Sequence, residues 1–113
     1  MLRVETQELN GALICRLEGR FTGEGAEQVR TLVTRYDGRL ELVVDLTEIM
    51  FIDVIGDGVL SFFKKLGAEF IAETSYSRHI CERFSLPLVR DHNSPSWGKK
   101  YANGYQPANS RVQ

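Results

Sequence analysis

Residues 40–67 read LELVVDLTEIMFIDVIGDGVLSFFKKLG, and this stretch decides how the rest of the chain is arranged. Residues 40–46 are apolar apart from Glu41 and Asp45. The length and β-branched content of this run predict a central strand that is covered on both faces. Farther on, apolar residues recur at helical spacing until Gly67, which predicts a helix over residues 56–66. The apolar positions of that helix are Val59, Phe62, Phe63 and Leu66.

The turn between this strand and this helix reads Asp53-Val54-Ile55-Gly56-Asp57-Gly58. Asp53 is a good helix N-cap, because its carboxylate can accept an amide of the first turn and faces the positive end of the helix dipole. Val54 and Ile55 are large and apolar, and at a helix start we expect them to be partly exposed. Binding sites in open α/β sheets cluster at the carboxyl ends of strands. The pattern therefore predicts an apolar docking turn, with simple local packing as the alternative.

The remaining elements follow from periodicity. Asn10-Gly11 lies between two strand-like runs, which is the strongest short signal for a hairpin. An apolar stripe predicts a helix over residues 24–36, and residues 68–72 form a short strand. Ser75 or Ser77 opens a third helix, and residues 86–90 are compatible with a last edge strand despite Pro87. In the third helix the residues expected to face inward are Tyr76, Ile80, Cys81 and Phe84.

The predicted order is β-β-α-β-α-β-α-β, a single α/β domain. Strands that alternate with helices imply right-handed crossovers and a mixed, largely parallel sheet with one antiparallel hairpin strand. The domain covers residues 1–91. Residues 92–113 are rich in Asn, Ser, Pro and Gly and predict an irregular tail, whose removal we expect to affect stability little. Trp97, Tyr101 and Tyr105 recur every four residues in this tail and leave a docking role open.

Residues 43–60, VVDLTEIMFIDVIGDGVL, resemble the signature of STAS domains, the family of anti-sigma factor antagonists and sulfate-transporter tails. In that signature an apolar strand ends in Asp-Leu, and a turn of the type Asp-Ser-Ser-Gly-Leu-Gly follows. The matching positions are Asp45-Leu46, Asp53, Gly56, Gly58 and Val59-Leu60. Val54 and Ile55 replace the hydroxyl residues, and Asp57 replaces the apolar residue after the first glycine.

The resemblance implies the same α/β fold and a non-enzymatic regulator that binds a protein. Its partner would be an anti-sigma factor of the kinase-like type or another regulator in a partner-switching system, with a homodimer left open. The partner-binding residues would be Asp53, Val54, Ile55, Gly56, Asp57 and Gly58. In phosphorylation-regulated relatives the acceptor usually precedes the glycine, at the position of Ile55. Because Ile55 has no hydroxyl, we expect no phosphorylation at this position. The nearby Ser61 is not at the family position.

The composition excludes several classes of protein. The 113 residues have a net charge of −1, which gives no basic field for nucleic acid or acidic membranes. Two cysteines, Cys15 and Cys81, are too few for a disulfide framework and lack metal spacing, so we expect reduced and mostly buried thiols. No signal peptide or membrane-length apolar run is present in the sequence. We therefore expect a cytoplasmic protein without membrane insertion.

Three further patterns have chemical interpretations that the sequence supports only weakly. Asp53 and Asp57 could form a Mg²⁺ or acid–base pair, but no phosphate-binding lysine motif lies nearby. Gly23-x-Gly25 followed by Asp45 imitates a dinucleotide fingerprint but lacks its third glycine. His79, Cys81 and His92 have no partners at catalytic or zinc spacing. The sequence predicts no cofactor and no metal. The alternatives left open are a small-ligand or nucleotide-binding module, a weak enzyme, and an accessory subunit of a membrane transport complex.

Overall fold

The computed structural model describes residues 1–36 and 38–89, and these residues form one four-stranded sheet and three helices. The strands are β1 (Leu2–Leu9), β2 (Ala12–Phe21), β3 (Glu41–Ile52) and β4 (Glu69–Ile71). The helices are α1 (Gly23–Thr34), α2 (Val54–Lys65) and α3 (Ser75–Phe84). The sheet order is β1-β2-β3-β4, with β1 antiparallel to β2 and the other neighbours parallel. This architecture confirms the predicted fold class and the order of the first seven predicted elements.

The hairpin between β1 and β2 has the predicted chemistry. Asn10 and Gly11 both have positive φ, at 50° and 87°, as a type I′ turn requires. At the other end of the sheet the last predicted strand is reduced to one parallel bridge between Phe70 and Leu88. The Phe70 amide donates to the carbonyl of Pro87, and the Val89 amide donates to the carbonyl of Phe70. Pro87 fits there because its missing N–H is not used.

The main core lies between the helices and one face of the sheet. Its buried side chains come from all three helices and from β2, β3 and β4. Cys15 and Cys81 are buried in it and free, as expected. Burial raises the pKa of the Cys15 thiol to about 12, and the Asp45 carboxylate adds to this rise. The Cys15 thiol is therefore neutral near pH 7.

The third helix shows one wrong prediction. Ile80 and Cys81 are buried and Phe84 is partly buried, but Tyr76 is 38% exposed. Tyr76 lies in the first turn of α3, whose buried residues are Ser77, Ile80 and Cys81. The helix begins at Ser75, and its N-cap is Thr74, which forms a capping box with Ser77. The predicted tail and His92 lie outside the described residues.

Candidate functional site

The site is built where β3 ends and α2 begins. The central strand extends to Ile52, six residues farther than the apolar run at residues 40–46 indicated. The extension pairs with β2 as far as Phe21, whereas β4 pairs only with Val43, Val44 and Asp45. The carboxyl end of β3 therefore projects beyond β4. The predicted docking turn follows Ile52 and therefore lies beyond the part of β3 that pairs with β4.

Asp53 holds the amino ends of two helices. Its Oδ1 accepts a hydrogen bond from the Gly56 amide at 2.9 Å, which confirms the predicted N-cap of α2. Its Oδ2 accepts from the Gly23 amide at 3.1 Å, at the first residue of α1. The hydroxyl of Thr22, the N-cap of α1, makes no capping bond, so the carboxylate of Asp53 satisfies an orphan amide of that helix as well. Asp53 therefore sets the geometry of the turn from within the domain.

Gly56 permits the close approach of α2 to β2. A Cβ atom at this position would meet the carbonyl oxygen of Phe21, and it would lie 2.7 Å from Cγ1 of Ile52. Such distances are below any real Cβ contact, so only glycine fits. Gly58 is different, because a Cβ there would meet nothing within 4 Å. The two glycines of the turn thus have separate roles, one in packing and one at an open surface.

Asp57 is engaged in an ion pair that joins two helices. Its Oδ1 lies 3.0 Å from Nη2 of Arg83 on α3. Asp53 therefore accepts hydrogen bonds from backbone amides, whereas Asp57 pairs with the guanidinium group of Arg83. Within residues 1–36 and 38–89, no group of three His, Cys, Asp or Glu side chains is placed to hold a metal ion. The Gly23 amide of the glycine-rich turn is likewise already bonded to Asp53.

The apolar side chains of the turn point outward. Val54 is 79% exposed and Ile55 is 41% exposed, as predicted for the start of this helix. Two further large apolar residues at the end of β3 are also exposed, Met50 at 77% and Phe51 at 43%. Sequence reasoning missed this pair, which is separated from the turn only by Ile52. We call Met50, Phe51, Val54 and Ile55 the exposed quartet.

One member of the exposed quartet is partly held in place by a charged neighbour. The guanidinium of Arg20, near the end of β2, lies 4.6 Å from the ring centroid of Phe51. This cation–π contact restricts the ring and leaves a positive charge beside the apolar surface.

His79 is exposed whereas Cys81 is buried, so the structure does not bring these two together. Lys64 and Lys65 are exposed on α2, and Lys64 donates to the Phe84 carbonyl at 3.3 Å.

Comparison with solved structures decides the fold. The anti-sigma factor antagonist SpoIIAA in its unphosphorylated form superposes with a TM-score of 0.64 at 14% identity, over 89% of this chain and 99% of that one. This chain has the STAS fold. A Shewanella loihica protein with a SpoIIAA-like fold, from the DUF3478 family, matches over 85% of this chain and 92% of its own, at 15% identity and a TM-score of 0.52.

A third structure places the same fold inside a larger protein. The murine anion transporter Slc26a9 matches over 82% of this chain but only 18% of its own length, at 19% identity and a TM-score of 0.50. No family model and no curated protein matches the sequence. In the part of the chain that the structure describes, no helix is both long and apolar enough to cross a membrane.

Proposed function

We propose that this STAS domain is a non-enzymatic, cytoplasmic module that binds a protein partner through the Asp53–Gly58 turn. The observation that carries the proposal is the exposure of Val54 and Ile55 beside an N-cap whose two carboxylate oxygens are occupied within the domain. The polar residue of the turn fixes its shape, and the apolar residues are left for contact. Met50 and Phe51, at the end of β3, are exposed as well and lie close to the turn in the sequence.

The exposed apolar area is large enough to matter for affinity. Full burial of a valine or isoleucine side chain contributes about 1.5–3 kcal/mol. Burial of the exposed parts of Val54 and Ile55 alone therefore contributes on the order of 3 kcal/mol. A few residues near the centre of an interface commonly supply most of its binding energy. Met50 and Phe51 belong to residue types that are enriched at protein interfaces.

The partner we propose is an anti-sigma factor of the kinase-like type, within a partner-switching system. This proposal rests on the STAS signature of residues 43–60 and on the likeness of the fold to an anti-sigma factor antagonist. The residue before Gly56 is Ile55, which has no hydroxyl to accept a phosphate. Binding of this partner is therefore not released by phosphorylation at that position.

The test is a pull-down with a charge introduced into the turn. Ile55→Glu places a carboxylate in the first turn of α2, where the helix dipole favours it, so the fold is retained. An unpaired charge buried in an interface costs several kcal/mol, so the variant loses its partner. Tyr76→Glu is a matched control, because Tyr76 is likewise the second residue of its helix and is 38% exposed against 41% for Ile55.

The expected result is that Ile55→Glu releases a kinase-like regulator that the wild type and Tyr76→Glu both retain. Equal capture by all three proteins would contradict the docking turn. A sharp fall in the melting temperature of Ile55→Glu would instead favour local packing.

A second candidate, an accessory subunit of a transport complex, is favoured only by the match to part of an anion transporter, and recovery of a membrane transporter would support it. A small-ligand module would show a raised melting temperature with nucleotides and Mg²⁺.

A further inference from the structure

The strand β1 lies at one edge of the sheet. Natural edge strands are protected against pairing with another chain by short length, proline, bulges or charge. β1 is eight residues long, contains no proline, and pairs with β2 without a register shift. Its remaining protection is charge, on Arg3, Glu5 and Glu8. In the part of the chain that the structure describes, β1 pairs with β2 alone, so its outer backbone groups have no strand partner among these residues.

The hydrogen bonds to β2 show which backbone groups of β1 point outward. The Arg20 amide donates to the Met1 carbonyl at 3.1 Å, one step beyond the first residue pair of the β1–β2 register. Because hydrogen-bonded positions alternate along an antiparallel pair, the odd-numbered residues of β1 are the ones that bond to β2. The amides and carbonyls of the even-numbered residues therefore point toward the open edge, among them those of Leu2, Val4 and Thr6.

The charges on this edge are complementary to those of a second copy in one register. An antiparallel copy must place outward-pointing residues opposite outward-pointing residues, so each allowed register is centred on a single residue. In the register centred on Val4, this residue lies opposite its own copy and Leu2 lies opposite Thr6. The same register places Arg3 opposite Glu5 on both sides of the centre. Centres on Arg3 or Glu5 would instead place like charges opposite each other, which is destabilising.

The side chains on both faces of β1 favour this register. Arg3 and Glu5 occupy its non-hydrogen-bonded positions, where opposite side chains approach most closely. Their side chains are 70% and 44% exposed, and Nη2 of Arg3 lies 3.5 Å from Oε2 of Glu5 within one chain. Pairing of two copies would join these two ion pairs into one network of four charges. On the other face, Leu2 and Val4 are partly buried against the main core, and pairing would cover more of their apolar surface.

We propose that the chain forms a two-fold symmetric dimer in which β1 pairs antiparallel with β1 of a second copy, in the register centred on Val4. The pairing joins the two four-stranded sheets into one continuous sheet. Strand β2 lies between β1 and β3, whose carboxyl end carries the docking turn. The dimer is therefore independent of partner binding at the turn, and it presents two copies of the turn.

Sedimentation equilibrium of the full chain measures the association. A concentration series up to about 1 mM detects dissociation constants up to about that value. We expect the average mass to rise from that of one chain, 12.8 kDa, toward twice that mass. A mass that stays at 12.8 kDa over the whole series would overturn the proposal. Growth beyond two copies would also overturn it, because the two-fold pairing leaves no β1 edge free.

Two charge reversals test the register. Arg3→Glu places carboxylates opposite each other at both symmetric positions, and Glu5→Arg places guanidinium groups opposite each other there. At low ionic strength we expect each variant alone to have a dissociation constant at least about tenfold larger than that of the wild type. A mixture of the two variants regains opposite charges at both positions, so we expect it to reach the wild-type mass at the same total concentration. Absence of this recovery would overturn the register centred on Val4.

Glu8→Arg is the matched control, because it makes the same change of net charge on the same strand as Glu5→Arg. Glu8 is exposed, and in the register centred on Val4 it lies beyond the last paired residue. We therefore expect Glu8→Arg to associate as the wild type does. A loss as large as that of Glu5→Arg would assign the effect to net charge and would overturn the proposal. Circular dichroism checks that all variants are folded, as we expect because exposed ion pairs contribute little to stability.

Discussion

Gly56 offers the most direct test of how the docking turn is held against the sheet. In Gly56→Ala the added methyl group would meet the Phe21 carbonyl oxygen, Cγ1 of Ile52 at 2.7 Å and Cδ2 of Phe21 at 3.0 Å. The Ile52 side chain can rotate away, but the carbonyl belongs to the end of β2 and cannot move without disturbing the strand. Helix α2 must therefore shift away from the sheet at its first turn.

The magnitude follows from two opposing effects. Overpacking a well-filled core costs about 1–3 kcal/mol. Alanine in place of glycine inside a helix increases the free energy of unfolding by up to about 1 kcal/mol. Because the obstacle is backbone, we expect the overpacking cost to lie at the upper end and the net loss to be about 2 kcal/mol. For a domain of this size this loss lowers the melting temperature by roughly 10 °C.

Gly58→Ala is the matched control, two residues along the same helix. Its methyl group meets nothing within 4 Å, so we expect a gain of about 0.5–1 kcal/mol from helix propensity alone. Urea denaturation of both variants and the wild type, followed by circular dichroism, measures the difference. A Gly56→Ala protein as stable as Gly58→Ala would refute the reasoning, because the close contact would then carry no constraint.

The remaining predictions concern single side chains. Asp53→Ala should lose about 1–3 kcal/mol in urea denaturation, since the caps of two helices are lost together; a loss no larger than that of an ordinary surface change would contradict the double cap. Incubation with a cognate kinase and ATP should leave residues 51–60 unphosphorylated, as measured by intact-mass spectrometry followed by peptide mapping, and a stoichiometric phosphate mapped to this segment would refute this. Because burial raises the pKa of Cys15 from 9.0 to about 12, its contribution to stability is complete below pH 9 and falls as the pH rises toward 12. Thermal melts of Cys15→Ala and wild type across this range should converge as the pH rises, and parallel curves would contradict the shift.

The element order could be predicted from sequence because each signal was local. The Asn10-Gly11 turn, the alternation of strands and helices and the N-cap at Asp53 depend on neighbouring residues, and the structure confirms all three. The exposure of Val54 and Ile55 was also predictable, because a helix start that projects from a sheet leaves its first residues uncovered.

The features that could not be predicted depend on contacts between distant residues. The bond from the Gly23 amide to Asp53 joins positions thirty residues apart. The need for glycine at position 56 arises from the carbonyl of Phe21, on another strand. Met50 and Phe51 lie beyond residues 40–46, the apolar run from which the strand was predicted, in the part of β3 that continues past its pairing with β4.

Hydrogen exchange of the complex with the captured partner tests the docking turn most directly. The first amides of α2 lack intrahelical acceptors, apart from the Gly56 amide bonded to Asp53, so they exchange fast in the free domain. Partner binding should slow exchange in residues 50–58 and leave β1, at the opposite edge of the sheet, unchanged. Protection confined to β1 or α1, with residues 50–58 exchanging as fast as in the free domain, would contradict the proposed site.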